Sequence, residues 1–222
     1  MEFIVAVDGP AGSGKGTITK IVGEKENLIY IDTGALYRCV TLSMVRENVK
    51  LEDLEKIQEI LDTIDIEFKK EDDQKKVYLN GEDVSKEIRE SAVNKFVSQV
   101  SHVVIVREAV TELSRKIAQG KQDIMEGRDI GTNVFPNADI KIYLDASAEE
   151  RAKRRQKQNE EKGINIPFEE IVENIKFRDN NDKTSPVAPL KQAEDAIYID
   201  SSDMTIEEVA EKVIEIINRK RR

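Results

Sequence analysis

Along the chain, short unbroken apolar runs alternate with longer stretches in which apolar residues recur every three or four positions. Runs at Phe3 to Asp8, Leu28 to Asp32, Asp123 to Glu126, Ile140 to Asp145 and Ala196 to Asp200 predict strands. Their apolar residues are continuous rather than alternating, so each strand expects cover on both faces, as in a parallel sheet with helical crossovers. The pattern is that of an α/β fold. The last helix is the clearest: Thr205 and Glu208 stand as a capping box, and Ile206, Val209, Ala210, Val213 and Ile217 recur on one face. Ser147 and Glu150 repeat the box directly after the Ile140 run and open another helix.

The middle of the chain breaks this rhythm. Ile64 to Lys69 and Lys76 to Leu79 read as short strands, with Glu71-Asp72-Asp73 as a loop and Asn80-Gly81 as a turn. A small inserted subdomain is expected there. A charge-dense stretch, Arg151 to Gly163, precedes Pro167 and a helical pattern from Phe168 to Asp182. Composition favours a solvated surface helix for it, and a mobile lid is the other reading.

A chain of 222 residues accommodates one domain with a sizeable insertion or two small domains. Its 35 basic and 44 acidic side chains give a net charge of -9, which argues against non-specific binding to nucleic acid or anionic membranes and makes any phosphate site a local one. No apolar run approaches a membrane span, and Met1-Glu2-Phe3 lacks the basic start of a signal peptide, so a cytoplasmic protein is expected. A single cysteine, Cys39, excludes an internal disulfide, and with one histidine, His102, no Cys- or His-rich metal centre can form.

The chemistry concentrates at Gly9-Pro10-Ala11-Gly12-Ser13-Gly14-Lys15-Gly16-Thr17, between an apolar strand and a helical pattern. Four of the 11 glycines fall in this stretch, where backbone N-H groups turn inward at a helix N-terminus and phosphate oxygens are the natural guest. Gly9, Gly14 and Lys15 match the phosphate-loop (P-loop) spacing G-x-x-x-x-G-K, in which the lysine reaches the β and γ phosphates. Gly16 stands where Ser or Thr normally bonds Mg2+, so the hydroxyl role passes to Thr17, directly or through water. A guanine-specifying Asn-Lys-x-Asp is missing, since Asn94-Lys95 is followed by Phe96-Val97. Motors usually have longer chains, and a chain this short fits a small-molecule phosphotransferase better.

The Gly-Lys-Gly-Thr ending, Asp32-Thr33-Gly34-Ala35-Leu36-Tyr37-Arg38 and Glu126-Gly127-Arg128-Asp129-Ile130-Gly131-Thr132 together resemble the bacterial cytidylate kinase family. The likeness continues through Val97-Ser98-Gln99-Val100, Val106-Arg107-Glu108-Ala109, Glu149-Glu150-Arg151-Ala152-Lys153-Arg154-Arg155 and Ala188-Pro189-Leu190, in family order over nearly the whole chain. The resemblance implies a P-loop kinase with a parallel-sheet core (about 1–37, 120–148 and 166–222), an inserted NMP-binding subdomain (about 38–119) and a short lid (about 149–165). It further implies Mg2+-dependent transfer of the γ-phosphoryl group of ATP to CMP or dCMP, and a monomer is expected. A kinase for another phosphorylated metabolite, or a catalytically weak nucleotide-binding regulator, are the rival readings.

Such a reaction needs little general-base help, because a nucleotide phosphate is largely dianionic at neutral pH, but it must hold two polyanions together with fixed cations. Arginine suits this through its planar fork. By resemblance, Arg38, Arg128 and Arg178 surround the acceptor and transferring phosphates, and Arg151, Arg154 and Arg155 come from the lid, with Lys15, Arg128, Asp129 and Arg154 central to catalysis. Arg128 also stands out without the family, because it follows a strand and a glycine at the carboxyl end where α/β sheets bind ligands. Ser98 and Arg107 match the family's cytosine pocket, and Thr33 matches the residue that approaches the acceptor. Asp129 would accept a hydrogen bond or orient an arginine, and Arg178 with Asp182 would meet the ribose. The family usually has a further arginine where this chain has Ser185, which removes or replaces one phosphate clamp.

Overall fold

The computed structural model describes residues 2–71, 74–161 and 163–221. It divides into two compact units, Met1–Ile31 with Ala118–Arg222, and Asp32–Ile117. The first unit contains the strands expected to be doubly covered. β1 (Phe3–Asp8), β2 (Ile29–Asp32), β6 (Gln122–Gly127), β7 (Ile140–Asp145) and β8 (Ile197–Asp200) form one sheet in the order β2-β6-β1-β7-β8. β1 lies parallel to both β6 and β7, and β7 lies parallel to β8. The continuous apolar pattern is strongest where the sheet is most enclosed: Val5, Ala6 and Val7 of central β1 are buried, whereas Ile197 and Tyr198 of edge strand β8 are exposed.

Helices α1 (Lys15–Glu26) and α8 (Ile206–Arg221) close one core of this unit. Ile18 and Val22 of α1 and Val209, Ala210, Val213 and Ile217 of α8 pack with Val5, Val7, Ile142, Leu144 and Ile199. Ile206 departs from the expected apolar face and stays exposed in the first turn. The Thr205-Glu208 box is reciprocal, each residue's backbone N-H donating to the other's side chain. At Ser147 only half forms. Ser147 accepts from the Glu150 N-H, but the Glu150 carboxylate takes Lys153 and the Ser147 N-H donates to Ser202, so tertiary partners replace the second half.

The charge-dense stretch is helix α6 (Ala148–Glu161), paired with α7 (Phe168–Thr184) through Ala152, Ile171 and Ile175. It is polar but not wholly solvated, because Arg151, Ala152 and Asn159 are buried.

The second unit contains α2 (Thr33–Arg46), α3 (Leu54–Thr63), α4 (Ser91–Val100), most of α5 (Val104–Ala118) and an antiparallel sheet in the order β3-β4-β5 (Ile66–Glu71, Gln74–Leu79, Glu82–Asp83). Its core is separate and is built around Leu36, Val40, Ile57, Val84 and Ile88. Asn80 and Gly81, both with positive φ, make the expected turn and join β4 to β5. Glu71, expected in a loop, is the last residue of β3, and Asp72 and Asp73 lie outside the described residues.

Candidate active site

The residues from Gly9 to Gly14 link the carboxyl end of β1 to the N-terminus of α1. Gly9 is required by its conformation (φ 152°) and by space, since a Cβ there would stand 2.0 Å from the Leu144 carbonyl oxygen. Lys15 opens α1 and is buried. Its ammonium donates to the Gly9 and Pro10 carbonyls, both at 2.8 Å, and to Ser13 Oγ at 3.4 Å, so the chain wraps its own loop around the cation. Burial pulls the Lys15 pKa down, the Arg128 charge pulls it the same way, and Glu126, Asp8 and Asp182 oppose both. A polyanion arriving here would meet a cation held in a low dielectric.

Thr17, the substitute hydroxyl, lies exposed in the first turn of α1. A side chain at Gly16 would meet Glu126. A Cβ at position 16 would stand 2.9 Å from Glu126 Oε1, and that carboxylate is itself held by the Tyr30 hydroxyl at 2.5 Å. A Ser or Thr here would require that flexible carboxylate to shift.

Arg128 follows β6. Its Nε donates to Asp182 Oδ2 at 2.8 Å, so α7 and the end of the sheet meet through this pair. Asp182, expected as the helical partner of Arg178 or a ribose acceptor, is therefore already engaged by a different arginine, and Arg178 is exposed. Asp129 is buried and accepts from Asn133 Nδ2 at 3.0 Å.

The three arginines of α6 have different surroundings. Arg151, only 4% exposed in its side chain, forks onto Asp179 at 2.8 and 2.5 Å and donates to the carbonyls of Ala11 and Ala146. Without a nucleotide its donors face the protein, and it braces the loop through Ala11. Arg154 is half-buried over the loop and donates to the Ser13 carbonyl at 3.4 Å and to the Ser201 carbonyl at 2.5 Å. Arg155 is exposed.

In the second unit, the Asp32 carboxylate accepts from the Ala35 N-H and caps α2, leaving Thr33 buried as the first helical residue. Arg38 donates to the Gly34 carbonyl at 3.2 Å and to Asn94 at 3.5 Å. Ser98 of α4 is half-buried and Arg107 of α5 is buried, with the Ser101 to Val103 turn between their helices. The Arg107 guanidinium lies 5.6 Å from the centre of the Tyr37 ring and donates to the Ser101 carbonyl. Tyr37 thus supports the Arg107 guanidinium.

Ser185 lies at the C-terminal end of α7 with its side chain turned inward, the hydroxyl donating to the Val187 carbonyl at 2.7 Å. The helix ends where the family's further arginine would stand. Sequence reasoning assigned no role to Asp8, Tyr30, Glu126, Asp179, Tyr37 or Ser201. The available signals were an acid ending an apolar strand at Asp8 and an acid beside Arg178 at Asp179. Ser201 carried none.

Among the described residues, no group of three or more His, Cys, Asp or Glu side chains is arranged to hold a metal ion, and no helix is long and apolar enough to cross a membrane. A buried lysine in a strand-to-helix phosphate loop, with arginines from the next strand and from a following helix, defines a P-loop nucleotide kinase. A family model described as cytidylate kinase matches residues 5–219. The cytidylate kinase of Caldicellulosiruptor bescii is 47% identical over 212 residues, which span 96% of this chain and 94% of that one. That of Bacillus subtilis is 45% identical over 221 residues, spanning 100% and 99%. A crystal structure of an uncharacterized protein from Eubacterium ventriosum superposes with a TM-score of 0.51 at 13% identity, covering 98% of this chain and 99% of that one, and shares the fold. This chain belongs to the cytidylate kinase family.

Proposed function

We propose that this protein transfers the γ-phosphoryl group of ATP to CMP or dCMP, giving ADP and CDP or dCDP. The observation that carries the reading is the buried Lys15 ammonium enclosed by the Gly9 to Gly14 loop at the N-terminus of α1, a setting suited to phosphate oxygens. The loop backbone from Gly9 to Thr17 would cradle the ATP phosphates, with Lys15 moving from its own loop carbonyls to the β and γ oxygens. Arg154 and Arg155 would meet the transferring charge from α6, and Arg151 would keep the loop in place through Ala11. Arg128, with Arg38 and Arg178, would hold the acceptor phosphate. Ser98 and Arg107 offer both hydrogen-bonding senses to cytosine, whose edge carries an amino donor and two acceptors. Thr33 would approach the acceptor, while Asp129 orders the turn after Arg128 and Asp182 steers that arginine and meets the sugar.

Mg2+ would arrive with ATP and spread the phosphate charge. The donor set suits this: Thr17 is exposed in the first turn of α1, and Mg2+ bound with a nucleotide takes most of its ligands from phosphates and water. The net charge of -9 supports small nucleotides rather than nucleic acid as partners, in the cytoplasm. The regulator reading rests on Ser185 alone, and Ser98 with Arg107 argues against a kinase for another metabolite.

Coupled ADP release with CMP, dCMP, UMP and AMP tests the assignment. CMP and dCMP should be used best. A preference for AMP, or equal slow release with every acceptor, would overturn it.

A further inference from the structure

Asp8 is the last residue of β1, immediately before the phosphate loop, and it is buried. Its main chain pairs with Gly127 across the β1 to β6 ladder. Its carboxylate then reaches the chain again a few residues later: Oδ1 accepts from the Ile130 N-H at 2.8 Å and Oδ2 from the Gly131 N-H at 2.7 Å. Arg128 and Asp129 are the two residues between these attachments. One acidic side chain therefore brackets the segment that aims Arg128, while its own next residue, Gly9, accepts a hydrogen bond from Lys15.

The far side of the turn is also backed. A Cβ on Gly131 would stand 3.1 Å from Lys141 Cδ and 3.4 Å from Asp8 Oδ2, and Lys141 is pinned by the Pro136 carbonyl at 2.6 Å and by Asp195 at 2.8 Å. Carboxylates that accept paired backbone N-H bonds hold their geometry firmly, because each bond is charge-assisted.

We infer that Asp8 is a positioning residue for phosphoryl transfer, holding the Gly127 to Gly131 turn on the carboxyl end of β1 and so fixing where Arg128 stands relative to Lys15. This rests on the kinase reading above and adds a residue to it. Spacing between fixed cations matters more for the transition state, whose charge is redistributed, than for binding ATP. Loss of the clamp should therefore reduce kcat and spare nucleotide affinity. Asp8→Asn keeps the shape but replaces one acceptor oxygen by an amide donor facing an N-H.

The test is a double-mutant cycle of Asp8→Asn with Arg128→Ala, reading kcat for CMP and, separately, the equilibrium affinity for ATP. Asp8→Asn should lower kcat at least tenfold in the parent and less than twofold in the Arg128→Ala background, with ATP affinity changed less than threefold. Equal factors in both backgrounds, or an untouched kcat, would overturn the inference. If Asp8→Asn does not fold, Gly131→Ala presses the same clamp from the other side and must show the same non-additivity. An inactive parent enzyme would instead overturn the kinase reading, so the two failures are distinguishable.

Discussion

The Arg151 guanidinium forks onto the Asp179 carboxylate at 2.8 and 2.5 Å, joining α6 to α7 while a further N-H holds the Ala11 carbonyl of the phosphate loop. Both side chains are largely buried, so removing one partner leaves an uncompensated charge. Arg151→Ala and Asp179→Ala should each cost about 3 to 5 kcal/mol of stability. Arg154→Ala should leave the melting temperature nearly unchanged and lower kcat about a hundredfold, as loss of a transition-state donor does. Thermal denaturation beside steady-state kinetics separates the two, and a kcat-specific loss in Arg151→Ala with stability intact would return that residue to the substrate.

Gly16→Ser restores the usual P-loop hydroxyl position yet should impair the enzyme. The added Cβ would stand 2.9 Å from the Glu126 carboxylate, which must shift and weaken its bond to Tyr30. The kinetic readout is kcat with CMP, expected to fall. A gain would show that Glu126 yields freely.

Asp8 supplies a pH signature. Burial pushes its carboxyl up to about 6, against the pull of the Gly131 and Ile130 amides. Since the folded value lies above the ordinary 3.8, the folded protein keeps a proton that the unfolded chain has released. Its contribution to stability is present below about pH 4 and lost as pH rises to about 6, by about 3 kcal/mol at most. Denaturation at pH 4 to 7 should show wild type losing stability relative to Asp8→Asn across that window and holding level above it. In Lys15→Met the Asp8 carboxyl should titrate higher, because the ammonium lowers it.

Asp182→Ala carries a prediction that the structure alters. An aspartate reading only the 2′-hydroxyl would matter for CMP and not for dCMP. Because Asp182 holds Arg128 at 2.8 Å, its loss should reduce kcat/KM for both substrates, with the larger loss for CMP if the ribose contact also exists. Loss confined to CMP would mean that Arg128 keeps its place unaided.

The five strands of the parallel-sheet unit were legible because burial on both faces leaves each an apolar run, as in Val5 to Val7. The phosphate loop was legible because glycine and lysine spacing is local. What escaped were partners brought together across long sequence distances. Nothing in the order of residues says that Arg128 takes Asp182, that Arg151 takes Asp179, or that Glu126 fills the space above Gly16. The lid arginines look equivalent in sequence, yet one helical turn separates a buried brace from a cation over the loop. Ile206 failed as a core residue because periodicity does not tell where the first turn of a helix leaves the core.

The central claim is tested most directly by identifying the product. Wild-type protein incubated with Mg2+, ATP and CMP should convert both nucleotides in equal amounts, with phosphorus resonances of ADP and CDP growing together and no free phosphate. Lys15→Met should slow that conversion at least about a hundredfold. ADP appearing with inorganic phosphate and no CDP would contradict the account.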